Sequence, residues 1–166
     1  MVIKIDNINV NDILLSFEKL NKDIIWGNVE HIGKQSGLQY KKGENPWLSS
    51  VGKKKNMDLE YTEINPFFKN TIFEDIIKKY DLKRTRLMWI SPKSSYNIHN
   101  DDYPRLHIPL ITNKECFFIF KEGIQFHLSV GHVWWVNTKL NHTYLNFSDN
   151  PRLHLVGVFN KQLYDR

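Results

Sequence analysis

His99 and Asp101 stand two residues apart, and on an extended backbone that spacing turns both side chains to the same side. An imidazole and a carboxylate so placed can share one divalent metal ion. A third ligand must come from another segment, and His142, shortly after Val133-Trp134-Trp135-Val136, is the best-placed candidate. Two histidines with one carboxylate make the facial set that leaves three coordination positions open on Fe(II). HxD alone is a common pairing, however. A plain loop pair, with Asp102 adding solubility, accounts for it as well.

The arginines bear on that choice. Arg84, Arg86, Arg105 and Arg152 fall in strand-like segments, and a fifth, Arg166, is C-terminal. Arg152 and His154 share a face of one strand, as do Arg105 and His107 of another. Turned into a barrel, these faces bring two cations and two imidazoles to its interior, where an unpaired guanidinium is costly. Between Arg84 and His154 the only acids are Asp101, Asp102, Glu115, Glu122 and Asp149. An anionic ligand is therefore a sensible partner, and the arginine fork can bind both oxygens of a carboxylate. With the same residues on an outward face none of this follows, and the pattern alone leaves both arrangements open. His127 and His132 read as structural or exposed, and His31 is given no role.

The elements that must position these groups divide the chain. Asn11 is placed to cap a helix from Asp12 to about Leu20, with Ile13, Leu14, Phe17 and Leu20 as its apolar stripe. Residues 27–65 are rich in Gly, Asn, Ser and Lys and read as a long loop with one or two short strands. Thr71 and Glu74 have capping-box spacing before a helix whose apolar face is Ile72, Phe73, Ile76, Ile77 and Tyr80. Seven short strands follow: 84–90, 105–111, 116–120, 124–128, 133–136, 143–147 and 152–159. That spacing argues for a barrel or sandwich, with the helices packed outside it. The reading is one domain, residues 1–83 forming a helical and loop support and residues 84–159 the β core.

Composition removes several classes. A chain of 166 residues, 41% hydrophobic and 13% aromatic, can bury a core and is not disordered. Cys116 is the only cysteine, so no disulfide framework exists, and it reads as a buried free thiol. No run approaches the roughly 18 apolar residues of a membrane span. The first residues lack a signal-peptide layout, so a reducing, cytoplasmic setting is expected. The net charge of +5 has one tight cluster, Lys53-Lys54-Lys55, which reads as a solvated loop before a nucleic-acid patch. Walker A, Rossmann, HExxH, CxxC and serine-elbow motifs are absent, and no RNP-like segment supports RNA binding.

The segments Ser95-Tyr96-Asn97-Ile98-His99-Asn100-Asp101, Arg105-Leu106-His107-Ile108-Pro109-Leu110 and Gly131-His132-Val133-Trp134-Trp135-Val136 precede His142, and Arg152 comes ten residues later. Together they resemble the 2-oxoglutarate- and Fe(II)-dependent oxygenases, most closely the aspartyl/asparaginyl β-hydroxylase-like group. The RxHxPL segment points to that group, and the resemblance spans a little under half of the chain. It implies a mainly β fold, a double-stranded β-helix or cupin-like jelly roll with supporting N-terminal helices. It also implies Fe(II), 2-oxoglutarate and O2 as cofactors, with His99, Asp101 and His142 as metal ligands. Arg152 would hold the distal carboxylate of 2-oxoglutarate, Arg105 and His107 would stand near the cosubstrate, and His154 could line the same site. Some members have glycine where Asp101 stands.

The implied activity is hydroxylation of an amino-acid side chain, with peptidyl Asp, Asn or Pro as the family-led substrate. A free amino acid or small metabolite, a cupin-like isomerase or dioxygenase without 2-oxoglutarate, and a non-catalytic metal- or anion-binding module are the alternatives. A peptide would need a groove, one wall of which residues 27–65, with Trp26, Tyr40 and Trp47, could form.

Overall fold

Polar and apolar residues alternate in Arg105–Ile111 and Arg152–Val158, and both strands are buried on both faces because each face meets a different layer. The computed structural model describes residues 1–161 and 163; Arg166 lies outside the described residues. The first half contains β1 (Val2–Asn7), α1 (Val10–Leu20), β2 (Gly27–Val29), β3 (Gly33–Gly37), β4 (Gln39–Tyr40), β5 (Glu63–Ile64) and α2 (Ile72–Lys79). The second half is β6 (Lys83–Ile90), β7 (Ser94–Ser95), β8 (Arg105–Ile111), β9 (Cys116–Phe120), β10 (Gln125–Phe126), β11 (His132–Val136), β12 (His142–Asn146) and β13 (Arg152–Val158).

One sheet has the order β1-β11-β8-β13-β6-β3-β2, a second has the order β10-β9-β12-β7, and β4 pairs with β5. All of these pairings are antiparallel. This is a mainly β, jelly-roll-like arrangement with helices outside, as the strand spacing predicts. No helix among the described residues is long and apolar enough to cross a membrane.

The two faces of the large sheet divide its chemistry. Leu87, Leu106, Ile108, Val133, Trp135, Leu153 and Leu155 share one core with Ile13 and Phe17 of α1 and Phe73, Ile76 and Ile77 of α2. Burying each such side chain contributes roughly 1.5–3 kcal/mol. The alternate positions, Arg86, Arg105, His107, Arg152 and His154, project toward the second sheet. There Ile90, Phe118, Phe120, Val136 and Tyr144 form a smaller apolar cluster around Cys116, which is a buried free thiol. Trp134 and Trp135 point opposite ways, Trp135 into the helix-side core and Trp134 against the inter-sheet cluster.

The first 83 residues are less purely helical and connective than their composition suggests. β1 pairs with β11, and β2 and β3 extend the large sheet beyond β6. Gly33–Gly37 shows no apolar alternation because its inward residue, Gln35, is a buried polar group, so the usual strand signal is missing. Four short strands, not one or two, lie within residues 27–65. The cap of α1 is Asn9, whose side chain accepts from the Asn11 N–H, so the helix starts earlier than expected. Thr71 caps α2, as its spacing predicts, while Glu74 reaches back to the Asn70 N–H.

Lys79 and Tyr80, at the end of α2, both donate to Asp6 Oδ2, at 2.8 and 2.7 Å, and tie the helix to β1. These bonds hold the Asp6 carboxyl down at about 2, from 3.8. Such a lowered folded-state pKa adds stability that is present above the unfolded value, near pH 4, and lost as pH falls through about 2. Urea melts of Asp6→Asn should show a deficit against wild type at pH 6 that closes by pH 2; a gap independent of pH would refute the link.

Candidate metal centre and cosubstrate pocket

Backbone pairing brings the HxD segment to the start of β12. His99 and His142 exchange both backbone hydrogen bonds, N–H to O distances being 2.9 and 2.8 Å, in an isolated antiparallel bridge. The Asp101 N–H donates to the Thr138 carbonyl at 2.8 Å. Side chains that are remote in sequence thus become neighbours: one ligand atom each from His99, Asp101 and His142 lies within 4.8 Å of the others. Phe118 stacks on the His142 ring, centroids 5.2 Å apart, and restricts its rotation.

The hydrogen bonds of these residues suit a metal. His99 Nδ1 lies 2.7 Å from the Asn97 carbonyl and His142 Nδ1 lies 2.9 Å from the Leu140 carbonyl. A carbonyl can only accept, so each Nδ1 carries the proton and each Nε2 offers its lone pair. Burial lowers the pKa of His142 and keeps it in the neutral, ligating form. For Asp101, burial pushes upward, but attraction and hydrogen bonding from Arg105 carry the carboxyl well below its usual range. Metal bonds of about 2.1 Å require the three atoms to draw in slightly. His99 and Asp101, only partly buried, have room to do so.

The arginines behave differently from one another. Arg105 Nε and Nη2 reach the two Asp101 oxygens at 3.1 and 3.0 Å, and Nη2 also reaches Asp58 Oδ2 at 2.7 Å. Asp58, 1% exposed, also pairs through Oδ1 with Arg84. Arg152 is buried without any ion pair among the described residues. Its guanidinium lies 3.3 Å over the Tyr144 ring, and Nε and Nη1 lack partners. His99, Asp101, His142 and Arg152 all line one cavity of about 870 Å³ between the sheets.

A sequence model of the aspartyl/asparaginyl beta-hydroxylase family matches residues 63–161, more than half of the chain. The chain belongs to that family. Over 70 residues it is 37% identical to L-proline cis-4-hydroxylase of Rhizobium meliloti (strain 1021), a match over 42% of this chain and 25% of that relative. The chain thus matches only a quarter of that relative's length. An oxidoreductase of the 2OG-Fe(II) oxygenase family from Burkholderia pseudomallei superposes with a TM-score of 0.54 at 16% identity, over 87% of this chain and 76% of that one. A prolyl-4-hydroxylase from Pseudomonas putida gives 0.50 at 11% identity, over 97% and 92%. At such identities these structures establish the shared fold.

Within this hydroxylase-family fold, several expectations need correction. Arg105 lines the cavity as its pattern suggests, but it already holds two carboxylates, Asp101 and, from outside the β core, Asp58, and only Nη1 is left without a partner. His154 does not line the cavity; it is fully buried between the rings of Tyr144 and His107. His107 does line it, with neither ring nitrogen hydrogen-bonded, and burial followed by repulsion from Arg152 holds it neutral. Lys53-Lys54-Lys55 lies exposed or half-exposed, as a solvated loop would, and also borders the cavity, and Asp102 accepts from the Asn56 N–H of the same loop at 2.9 Å.

Trp47 packs on Phe67 and Phe68, and Trp26 lies under Lys34, so neither forms a substrate wall; Tyr40 also lies outside the lining. Sequence reading missed Asp58, Gln35 and the inward aim of Arg86, and no motif marks them. The one available signal was the scarcity of acids near four strand arginines.

Proposed function

We propose that the protein is an Fe(II)- and 2-oxoglutarate-dependent dioxygenase that hydroxylates an amino-acid substrate, with proline favoured by the proline hydroxylase it resembles. The observation that carries this reading is a facial His99, Asp101 and His142 set in the same cavity as an unpaired, buried Arg152. When bound, Fe(II) with 2-oxoglutarate and O2 supplies the oxidation that places oxygen on a C–H bond and releases succinate and CO2.

The chain's own residues bind and orient. His99 and His142 would present Nε2 to the metal, their tautomers fixed by the Asn97 and Leu140 carbonyls. Asp101 would be the charged ligand, held in orientation by Arg105. Arg152 would pair with the distal carboxylate of the cosubstrate, and Tyr144 would hold its guanidinium plane. His107, neutral and with both nitrogens free, would contribute a hydrogen bond beside it.

Arg152→Lys keeps the charge but loses the fork. Cosubstrate affinity should fall roughly 5–150-fold, the worth of about 1–3 kcal/mol of charge-assisted bonding. Titrating the metal-to-ligand charge-transfer band of the anaerobic Fe(II) protein measures it. Equal affinity in wild type and variant would remove Arg152 from this role.

A further inference from the structure

We propose that Arg86, clamped by Gln35, is the recognition site for a free carboxylate on the substrate. The inference rests on the hydroxylase reading above and narrows its substrate class. Arg86 projects from β6 into the same cavity and is 6% exposed. Its Nη1 donates to Gln35 Oε1 at 3.0 Å, and its Nε has no partner. No ion pair to Arg86 exists among the described residues, whereas Arg84 and Arg105 share Asp58. Gln35 can fix the guanidinium but, being neutral, cannot balance it. The same amide accepts from the Gly52 N–H at 3.2 Å and donates to the Tyr96 hydroxyl at 3.1 Å. The Tyr96 ring in turn lies 5.9 Å from that of His99, so the clamp is continuous with the wall of the metal centre.

Charge balance separates Arg86 from the cosubstrate. The buried arginines of this cavity are Arg84, Arg86, Arg105 and Arg152, against Asp58 behind them and Asp101; Glu30 and Asp102 also line it but are exposed, and neither pairs with an arginine among the described residues. Fe(II) adds two positive charges and 2-oxoglutarate two negative ones, so the buried groups of the loaded site keep their excess of positive charge. Arg84 and Arg105 share Asp58 and Arg152 would take the cosubstrate, which leaves Arg86 as the buried cation with no carboxylate beside it. Burial, reinforced by repulsion from Arg84 and Arg105, already disfavours its charge, and a carboxylate there would relieve that penalty.

Position fits a second anion. Arg86 lies opposite Val156 on β13, while Arg152 lies opposite Ile90, four residues along β6, or about 13 Å. Arg86 shares a cross-strand row with His107 through Val156, next to the row of Arg105, which holds Asp101. Its end of the sheet is thus the metal end. Lys53, Lys54 and Lys55 border the same cavity and would draw an entering anion toward it. An internal peptidyl proline offers no carboxylate for this site. The α-carboxylate of a free amino acid does, and so does the side chain of a peptidyl aspartate.

The test uses protein loaded with Mn(II), as a redox-silent replacement for Fe(II), and 2-oxoglutarate. Calorimetry would compare free L-amino acids, proline included, with their C-terminal amides and with N-acetyl-aspartate amide. At least one free acid should bind, its amide at least about tenfold more weakly. Arg86→Gln should erase that difference while 2-oxoglutarate affinity stays within about twofold. Gln35→Glu, which gives Arg86 an internal carboxylate, should weaken the acid similarly. Binding of N-acetyl-aspartate amide with the same Arg86 dependence would support the site and assign it to a peptide side chain. Equal binding of acid and amide, or an Arg86→Gln loss that falls on 2-oxoglutarate instead, would overturn the proposal. If 2-oxoglutarate binds and no carboxylate does, this inference fails and the hydroxylase reading stands; if 2-oxoglutarate itself does not bind, both fail.

Discussion

Replacing His142 by alanine should lower divalent-metal affinity by more than about 100-fold, because losing only a partner behind a ligand already costs 10–100-fold. His142 supplies one of three ligand atoms, and a bidentate remnant of His99 and Asp101 keeps no facial geometry. The ring also stacks on Phe118, so some stability goes with it. Calorimetry with Fe(II) or Mn(II), paired with a thermal melt, separates the two effects. A folded variant that binds metal as tightly as wild type would exclude His142 from the centre.

The second large effect belongs to Asp58. Its carboxylate, 1% exposed, neutralises Arg84 on one oxygen and Arg105 on the other. Asp58→Asn leaves buried Arg84 with only the Ser50 and Gly52 carbonyls, and Arg105 with Asp101 as its one carboxylate. Breaking a buried pair in this way costs about 3–5 kcal/mol, and two cations are affected here. A chemical melt should show that loss. A change under about 1 kcal/mol would mean that Asp58 does not balance these arginines. The surviving protein should also bind metal more weakly, because the Arg105 guanidinium that orients Asp101 would no longer be fixed by Asp58. Asp81→Asn, at an exposed ion pair with Lys83, is the matched surface control and should shift stability by well under 1 kcal/mol.

The β core was legible because two signals agreed along it. Strands such as β8 and β13 alternate polar and apolar residues, so one pattern gives their period and sets Arg105 with His107, and Arg152 with His154, on a shared face, though not whether that face turns inward. The HxD spacing works for the same reason, since an extended segment needs only one intervening residue. Asp58 and Gln35 are different. Each acts through buried contacts between segments far apart in sequence, Asp58 with Arg84 and Arg105 and Gln35 with Arg86. A local window contains no trace of such a contact. The loop-like composition of residues 27–65 hid them further, because Lys and Gly of the exposed turns outweigh the few buried positions. The tilt of Arg84 toward Asp58 accompanies a left-handed backbone, φ 48°, at the start of β6, which breaks the alternation.

The placement of β13 has a temporal consequence. Among the described residues this strand is the last to be synthesised, yet it lies in the middle of the large sheet, between β8 and β6, which do not pair with each other. Until residues 152–158 leave the ribosome, the nascent chain can hold only two half-sheets, each with an open hydrogen-bonding edge facing the vacancy. Sheets closed by such distant pairings fold slowly, and unpaired edges invite association with other chains. Arg152 arrives on that closing strand, so the role proposed for it would be open only to a chain whose large sheet is already zipped.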